Sequence, residues 1–168
     1  MNGYRTYMKI GDTENSDIQS FTENGYRINY TFNVRNPREG ERIIDPIKIE
    51  SEQDIPWTVR KQIMDSDCLE LGFMTLDENG KIVEKTLIKD GLCLKLAVDI
   101  KADCPFPKVF IKVYAGKLIV GNNIEVENLN REKFDRHLAN MKRIRRERDA
   151  LTDLLDDKNI NYFNHVFP

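Results

Sequence analysis

The chain has 168 residues, of which 40% are hydrophobic and 32% charged, with 26 Lys and Arg against 28 Asp and Glu. This length and balance suit one globular domain with an appendage and exclude a disordered chain. The net charge of −2 argues against a protein that coats nucleic acid with its whole surface, so any binding to a polyanion is expected to be local.

Cysteine and histidine usage predicts neither a metal site nor a redox site. Cys68, Cys93 and Cys104 are irregularly spaced, without a C-x-x-C pair, and two histidines lie far from them in the sequence. We therefore expect reduced thiols, no metal and no cofactor. No apolar run is long enough for a signal peptide or a membrane span. The expected location is the cytoplasm, or an assembly formed there, with no membrane partner.

The first half of the chain begins with a strand pattern and continues with a helix pattern. Residues 26–35, YRINYTFNVR, alternate strictly between apolar and polar residues, which predicts a strand with one buried face. A short strand, ERIID, is expected at residues 41–45. Residues 51–66 predict a helix, with Ser51 as its cap, Pro56 in its first turn and Trp57 in the core.

Residues 68–128 read as a series of short strands joined by tight turns. Turns are expected at Asn79-Gly80, Asp90-Gly91, Gly116 and Gly121. Short connections without crossover helices indicate antiparallel pairing. The predicted fold class is α+β: an antiparallel β-rich domain over residues 1–128, built as a sheet meander, sandwich or open barrel. It has one short helix, and residues 129–168 follow as a long charged helix with an aromatic docking tail.

The predicted C-terminal helix carries an apolar stripe with a spacing close to a coiled-coil heptad. The tail behind it is too apolar to stay unpacked at a terminus. The stripe packs either on the chain's own sheet or on a partner helix, and both alternatives stay open. The residues expected at a protein interface are Phe134, Leu138, Met141, Ile144, Leu151, Leu155, Tyr162, Phe163 and Phe167.

The face opposite this stripe is basic first and acidic later. A nucleic-acid-binding helix would use Arg136, Lys142, Arg143, Arg145 and Arg146 against phosphates. The aspartates that follow, from Asp149 to Asp157, would repel a duplex lying along the helix. Two blocks of opposite sign fit an antiparallel copy of the same helix better, although pairs within the helix would also satisfy them.

Motifs for catalysis or metal binding are weak. Residues 12–23 mimic a calcium loop, but its sixth position is Asp17 where glycine is needed, so a solvated acidic loop is expected. Asp65 and Asp67 close a helix without a second constellation of charges. Gly116-Lys117 lacks the serine or threonine of a phosphate loop. The sequence therefore indicates a protein that is not an enzyme.

The functional hypothesis is a non-catalytic assembly or adaptor subunit that acts through protein–protein contacts. A homo-oligomeric ring, a connector or a virion-like component would suit a β-rich domain with a helical arm, by analogy. The first alternative is a nucleic-acid-binding protein using the basic face of the C-terminal helix. A second alternative is an inhibitor or regulator that binds one protein target.

Overall fold

The structure is a computed structural model, and it describes residues 3–11, 13–121, 124–128 and 131–166. Within residues 131–166 the side chains are described at 135–136, 138–152 and 154. The chain divides into two compact units, Met1–Arg131 and Glu132–Pro168, and each is considered by itself.

The first unit contains nine strands and two short helices among its described residues. In chain order they are β1 (Arg5–Ile10), α1 (Ile18–Asn24), β2 (Tyr26–Thr31), β3 (Val34–Arg35), β4 (Ile43–Ile44), β5 (Ile47–Ser51), α2 (Trp57–Asp65), β6 (Leu69–Leu76), β7 (Ile82–Asp99), β8 (Lys108–Val120) and β9 (Ile124–Glu127).

Six antiparallel strands close into a barrel. The hydrogen-bonded order is β5-β2-β1-β6-β7-β8, and β5 pairs with β8 to complete the circle. The β5–β8 contact runs from Ile47 opposite Val113 to Glu50 opposite Phe110. β9 adds to the remaining edge of β8, and β3 pairs with β4 in a separate two-stranded sheet. The predicted antiparallel β-rich fold is confirmed, and the barrel is closed rather than open.

Alternation along each strand explains which side chains fill the barrel. In β2, Ile28 and Tyr30 point inward while Arg27, Asn29 and Thr31 are exposed, as the alternation predicts. The predicted strand over 26–35 is too long, since β2 ends at Thr31 and Val34–Arg35 belong to the separate sheet. The inward side chains of all six strands meet in one apolar cluster. Its members from the strands include Met8, Ile28, Ile47, Ile49, Leu71, Phe73, Ile88, Val109, Ile111, Val113 and Leu118.

Helix α1 covers the outer face of β1 and β6, in a segment that the sequence predicts only as a loop. Asp17 caps it by accepting from the Ser20 N–H at 2.9 Å, and Phe21 is fully buried against Met74 and Leu76. Gly72 makes this close approach possible. A Cβ there would lie 2.6 Å from the Thr13 Cβ and 2.9 Å from the Phe21 Cζ.

Two of the predicted turns are wrong. Asp90-Gly91 and Gly116 lie inside the continuous strands β7, of 18 residues, and β8, of 13 residues. Asp90 has a φ of 53°, and β6 shows a register shift opposite this point, so the chain bends without reversing. The Asn79-Gly80 turn is confirmed, since Gly80 has a φ of 79° and donates its N–H to the Asp77 carbonyl at 3.1 Å.

The predicted helix over 51–66 begins too early. Ser51 belongs to β5, where its buried hydroxyl accepts a hydrogen bond from the Val109 N–H at 2.7 Å. Pro56 is the residue that precedes α2, because its fixed φ suits a helix start. The core assignment of Trp57 is also wrong. The ring is 58% exposed, and the Arg60 guanidinium lies 5.5 Å from its centroid.

The remaining element is the helix α3, with the bounds Arg131–Val166. Its side chains are described without interruption over residues 138–152, about four turns. Over that stretch the helix agrees with the sequence prediction. The longer arm and its aromatic docking tail stay predictions. No helix among the described residues is long and apolar enough to cross a membrane.

Asn128 ties the end of the barrel chain to β4. Its Nδ2 donates to the Ile44 carbonyl at 3.1 Å and to the Ala115 carbonyl at 3.0 Å, while its Oδ1 accepts from the Ile44 N–H at 3.3 Å. The side chain is buried, so these backbone groups have little access to water that could replace it.

We predict that Asn128→Ala lowers the free energy of unfolding by about 2–4 kcal/mol, because three hydrogen bonds are lost and buried backbone groups stay unpaired. Urea unfolding of the full chain measures this. Asn79→Ala is the control, since its side chain is exposed, and we expect a change within about 0.5 kcal/mol. Equal effects of the two substitutions would contradict the role of Asn128.

Candidate interaction surfaces

The apolar stripe of α3 is only partly described. Leu138 and Met141 are half-buried, whereas Ile144 and Leu151 are 44% and 54% exposed. The structure does not describe four other side chains of the predicted interface, those of Phe134, Leu155, Tyr162 and Phe163. Phe167 lies outside the described residues. The coiled-coil seam and the docking tail therefore stay predictions.

The basic face of α3 is placed largely in solvent. Arg136, Lys142, Arg143 and Arg146 are exposed, and Arg145 is half-buried. Arg143 donates to the Asn140 side chain at 2.7 Å. Arg148 lies 3.5 Å from Asp149, which is an exposed pair of small energetic weight. The proposed nucleic-acid contacts of this face stay a prediction.

Exposed aliphatic side chains mark both ends of the β7–β8 ladder. At one end, Val98 is 41% exposed, and Ile100, just beyond β7, is 83% exposed. At the other end Ile82, Val83 and Ile124 are at least half exposed. Residues 92–99 of β7 pair with β8 alone in the described sheet, since the pairing with β6 ends at Gly91. The hairpin therefore extends beyond its neighbour and presents apolar groups to solvent.

A groove of about 510 Å³ lies on the outer face of the sheet formed by β2, β5, β8 and β7. Phe110 and Ala97, which are cross-strand partners, contribute its apolar floor. Lys48 is directly opposite Lys112, and Lys112 is directly opposite Lys95, so three lysines stand side by side on three adjacent strands. Directly opposed like charges destabilise a sheet.

Each of these three lysines is exposed and has no ion-pair partner among the described residues. The neighbouring cation, by contrast, is neutralised. Lys108 lies 2.7 Å from the Glu50 carboxylate, and this hydrogen bond raises the pKa of Lys108. The unpaired charge of the groove is thus confined to the row formed by Lys48, Lys112 and Lys95, which we call the lysine row.

A polar network lies among the inward-facing side chains at one end of the barrel. The Tyr30 hydroxyl lies 3.2 Å from the Glu84 carboxylate and 3.0 Å from the Thr86 hydroxyl, and its ring stacks on Phe73 with 4.3 Å between centroids. Burial raises the pKa of Tyr30, so the phenol stays protonated. These hydrogen bonds connect Tyr30 of β2 with Glu84 and Thr86 of β7, which gives the network a structural role.

Lysine side chains contact the described part of the calcium-like loop. Lys89 lies 2.8 Å from the Glu14 carboxylate, and this contact lowers the pKa of Glu14 and raises that of Lys89. Lys85 donates to the Glu14 carbonyl at 3.0 Å, and Lys9 donates to the Ser16 hydroxyl at 2.7 Å. The part of the chain that the structure describes contains no cluster of three or more metal-ligating side chains.

Two of the cysteines differ in their surroundings, since Cys93 is buried and Cys68 is exposed. Cys93 is 3% exposed and lies within the core cluster. Cys68 donates to the Asp90 carboxylate at 3.4 Å, and partial burial raises the pKa of its thiol. A raised pKa reduces the fraction of reactive thiolate.

We predict that Lys112→Gln raises the free energy of unfolding at low salt by about a few tenths of a kcal/mol, because it removes two like-charge contacts. The gain should shrink as added salt screens the row. Urea unfolding at two salt concentrations measures both effects. Lys108→Gln is the matched control on the same strand, and it should be destabilising because it removes the contact with Glu50. A destabilising Lys112→Gln would contradict the repulsion.

No protein-family model matches the sequence, and no curated protein matches it. Solved structures do match the fold. Hcp1 from Salmonella typhimurium aligns with a TM-score of 0.57 at 10% identity, covering 74% of this chain and 93% of that one. Hcp1 from E. coli EAEC 042 gives 0.56 at 15% identity, covering 74% and 97%. Hcp1 from Flavobacterium johnsoniae gives 0.56 at 11%, covering 74% and 99%. At these identities the chain is similar to Hcp proteins in fold alone.

Proposed function

We propose that this protein is a non-catalytic structural subunit that self-associates through the two ends of its β-barrel. Such a subunit builds a ring or a stack of rings from identical copies. The proposal keeps the assembly hypothesis that the sequence supports. It moves the main interface from the C-terminal helix to the barrel.

The observation that carries this proposal is the exposed aliphatic surface at opposite ends of one ladder. Val98 and Ile100 lie at one end, and Ile82 and Ile124 lie at the other. Burying such side chains is favourable at roughly 25 cal/mol per Å² of apolar area. Two different surfaces at opposite ends form a heterologous, head-to-tail contact, which generates closed rings or open stacks according to the rotation between copies.

The fold comparison supports a biological context for this assembly. Among the solved structures with this fold, one is described as a type six secretion system protein and another as a type VI secretion system effector from Yersinia pestis, with TM-scores of 0.54 and 0.52. We therefore propose a secretion-system-like assembly as the context of this subunit. The virion-like setting and the nucleic-acid alternative gain no support from these comparisons.

We predict that the double variant Val98→Ser/Ile100→Ser lowers the mass in solution of the full chain, because it removes the apolar contact at one end of the barrel. Size-exclusion chromatography with light scattering, over a range of protein concentrations, measures the mass. Both side chains are exposed, so the fold should tolerate the change, and circular dichroism checks this.

The matched control is Ile144→Ser/Leu151→Ser, which removes two exposed aliphatic side chains from α3. We expect little change of mass for this variant. If only the α3 variant dissociates the assembly, the seam is the interface and the barrel-end proposal is wrong. If the unaltered chain is a monomer at every concentration, self-association itself is refuted.

A chain ending at Arg131, the boundary of the first compact unit, should retain self-association. The reason is that it contains both ends of the β7–β8 ladder. Light scattering on this shortened chain gives the mass directly. A monomeric product would assign assembly to the C-terminal segment instead.

A further inference from the structure

We infer that the groove beside the lysine row is a docking site for an acidic protein segment, one that carries carboxylates next to an apolar side chain. The segment belongs to a different protein, and its binding is independent of the self-association proposed above. Two properties of the groove lead to this inference: its unpaired positive charge and its apolar floor.

The charge arrangement is costly in the isolated subunit. Lys48, Lys112 and Lys95 occupy directly opposite positions on adjacent strands, where Cβ atoms are about 5 Å apart. Lys108, on the same strand as Lys112, has the Glu50 carboxylate as its partner, whereas the row has none among the described residues. An anionic partner would reduce the repulsion among the three lysines, and this reduction would strengthen its binding.

The shape of the groove favours a peptide over a small molecule. It lies open on a sheet surface, whereas pockets for small ligands bury most of the ligand. In an extended segment, alternate side chains point the same way at intervals of about 7 Å. Carboxylates at such positions can reach successive lysines of the row. The side chains between them point to the opposite side. A segment that runs beside the row therefore directs its carboxylates to the lysines and its apolar side chains to Phe110, which stands two residues from Lys112 on β8 and is 37% exposed.

The lining argues against a phosphate site. No arginine is among the described residues that line the groove, and no helix begins there. Phosphate recognition usually uses arginine forks or the N–H groups of a helix start. Lysine alone, beside an apolar floor, fits carboxylates on a partly apolar segment better.

The test measures binding of a fluorescent peptide with the sequence DLDLDL to the full chain by anisotropy. We expect binding that weakens with added salt. The variant Lys48→Gln/Lys95→Gln/Lys112→Gln should weaken it at least about tenfold, since three exposed ion pairs are lost. Phe110→Ala should weaken it several-fold. The control Arg38→Gln/Lys61→Gln/Lys81→Gln changes the net charge equally at exposed positions elsewhere and should leave binding within about twofold.

A charge exchange gives a second test that does not depend on loss of binding. The variant Lys48→Glu/Lys95→Glu/Lys112→Glu should reject DLDLDL and accept the peptide KLKLKL. Circular dichroism on each variant establishes that the barrel is retained. Recovered binding of KLKLKL would support a direct charge contact at the row.

Four results would overturn the inference. The first is absence of DLDLDL binding, and the second is equal weakening by the control variant. The third is equally tight binding of the neutral peptide NLNLNL. In the fourth, tripolyphosphate or a dT12 oligonucleotide binds through the lysine row while DLDLDL does not, which would assign the site to phosphates. Light scattering on the same samples reports self-association separately, so failure of the proposed function and failure of this inference are distinguishable.

Discussion

Closure of the barrel by β5 and β8 is the contact on which the other features of the first unit depend. β8 is already paired with β7 along its length, so its second edge must be covered by other strands. β5 covers it from Phe110 to Val113, and β9 covers it from Lys117 to Val120. Pairing of the edges removes most of the unsatisfied backbone groups that an open sheet would present. The same pairing brings Lys48 beside Lys112 and thereby creates the lysine row.

The bend in β7 and β8 is a second consequence of closure. A flat ladder of this length could not curve around a barrel, so the strands bend where the sequence allows it. Asp90 adopts a positive φ, and Gly91 and Gly116 lie against the neighbouring backbone and the Asp90 side chain at the same level. In a short peptide these residues would favour a turn. In the barrel, pairing with β6 on one side and β8 on the other keeps the chain extended.

Patterns that depend on neighbours in sequence were predictable, and contacts between distant strands were not. The alternation of residues 26–35 identified the inward face of β2, although that strand ends at Thr31. Asn79-Gly80 identified a true hairpin. Ser51 suits a helix cap locally, yet its hydroxyl accepts a hydrogen bond from the Val109 N–H, which lies on a strand far away in sequence. The lysine row also escapes the sequence, because its members come from three separate segments and only the registers place them together. The stripe of α3 stays a prediction from periodicity, and the sequence does not show what it packs against.

The hydrogen bonds of Asn128 bear on when the barrel can close during synthesis. Its side chain joins Ile44 across 84 residues of sequence, and β8, which closes the barrel, also lies late in the first unit. A ribosome must therefore release nearly the whole unit before the barrel can close. Long-range pairings of this kind slow folding, and β1 and β5 meanwhile have edges that can pair with other chains. In a cell that produces many copies at once, we expect the nascent chain to be more prone to aggregation than the finished barrel, so the rate of synthesis should limit the yield of soluble protein.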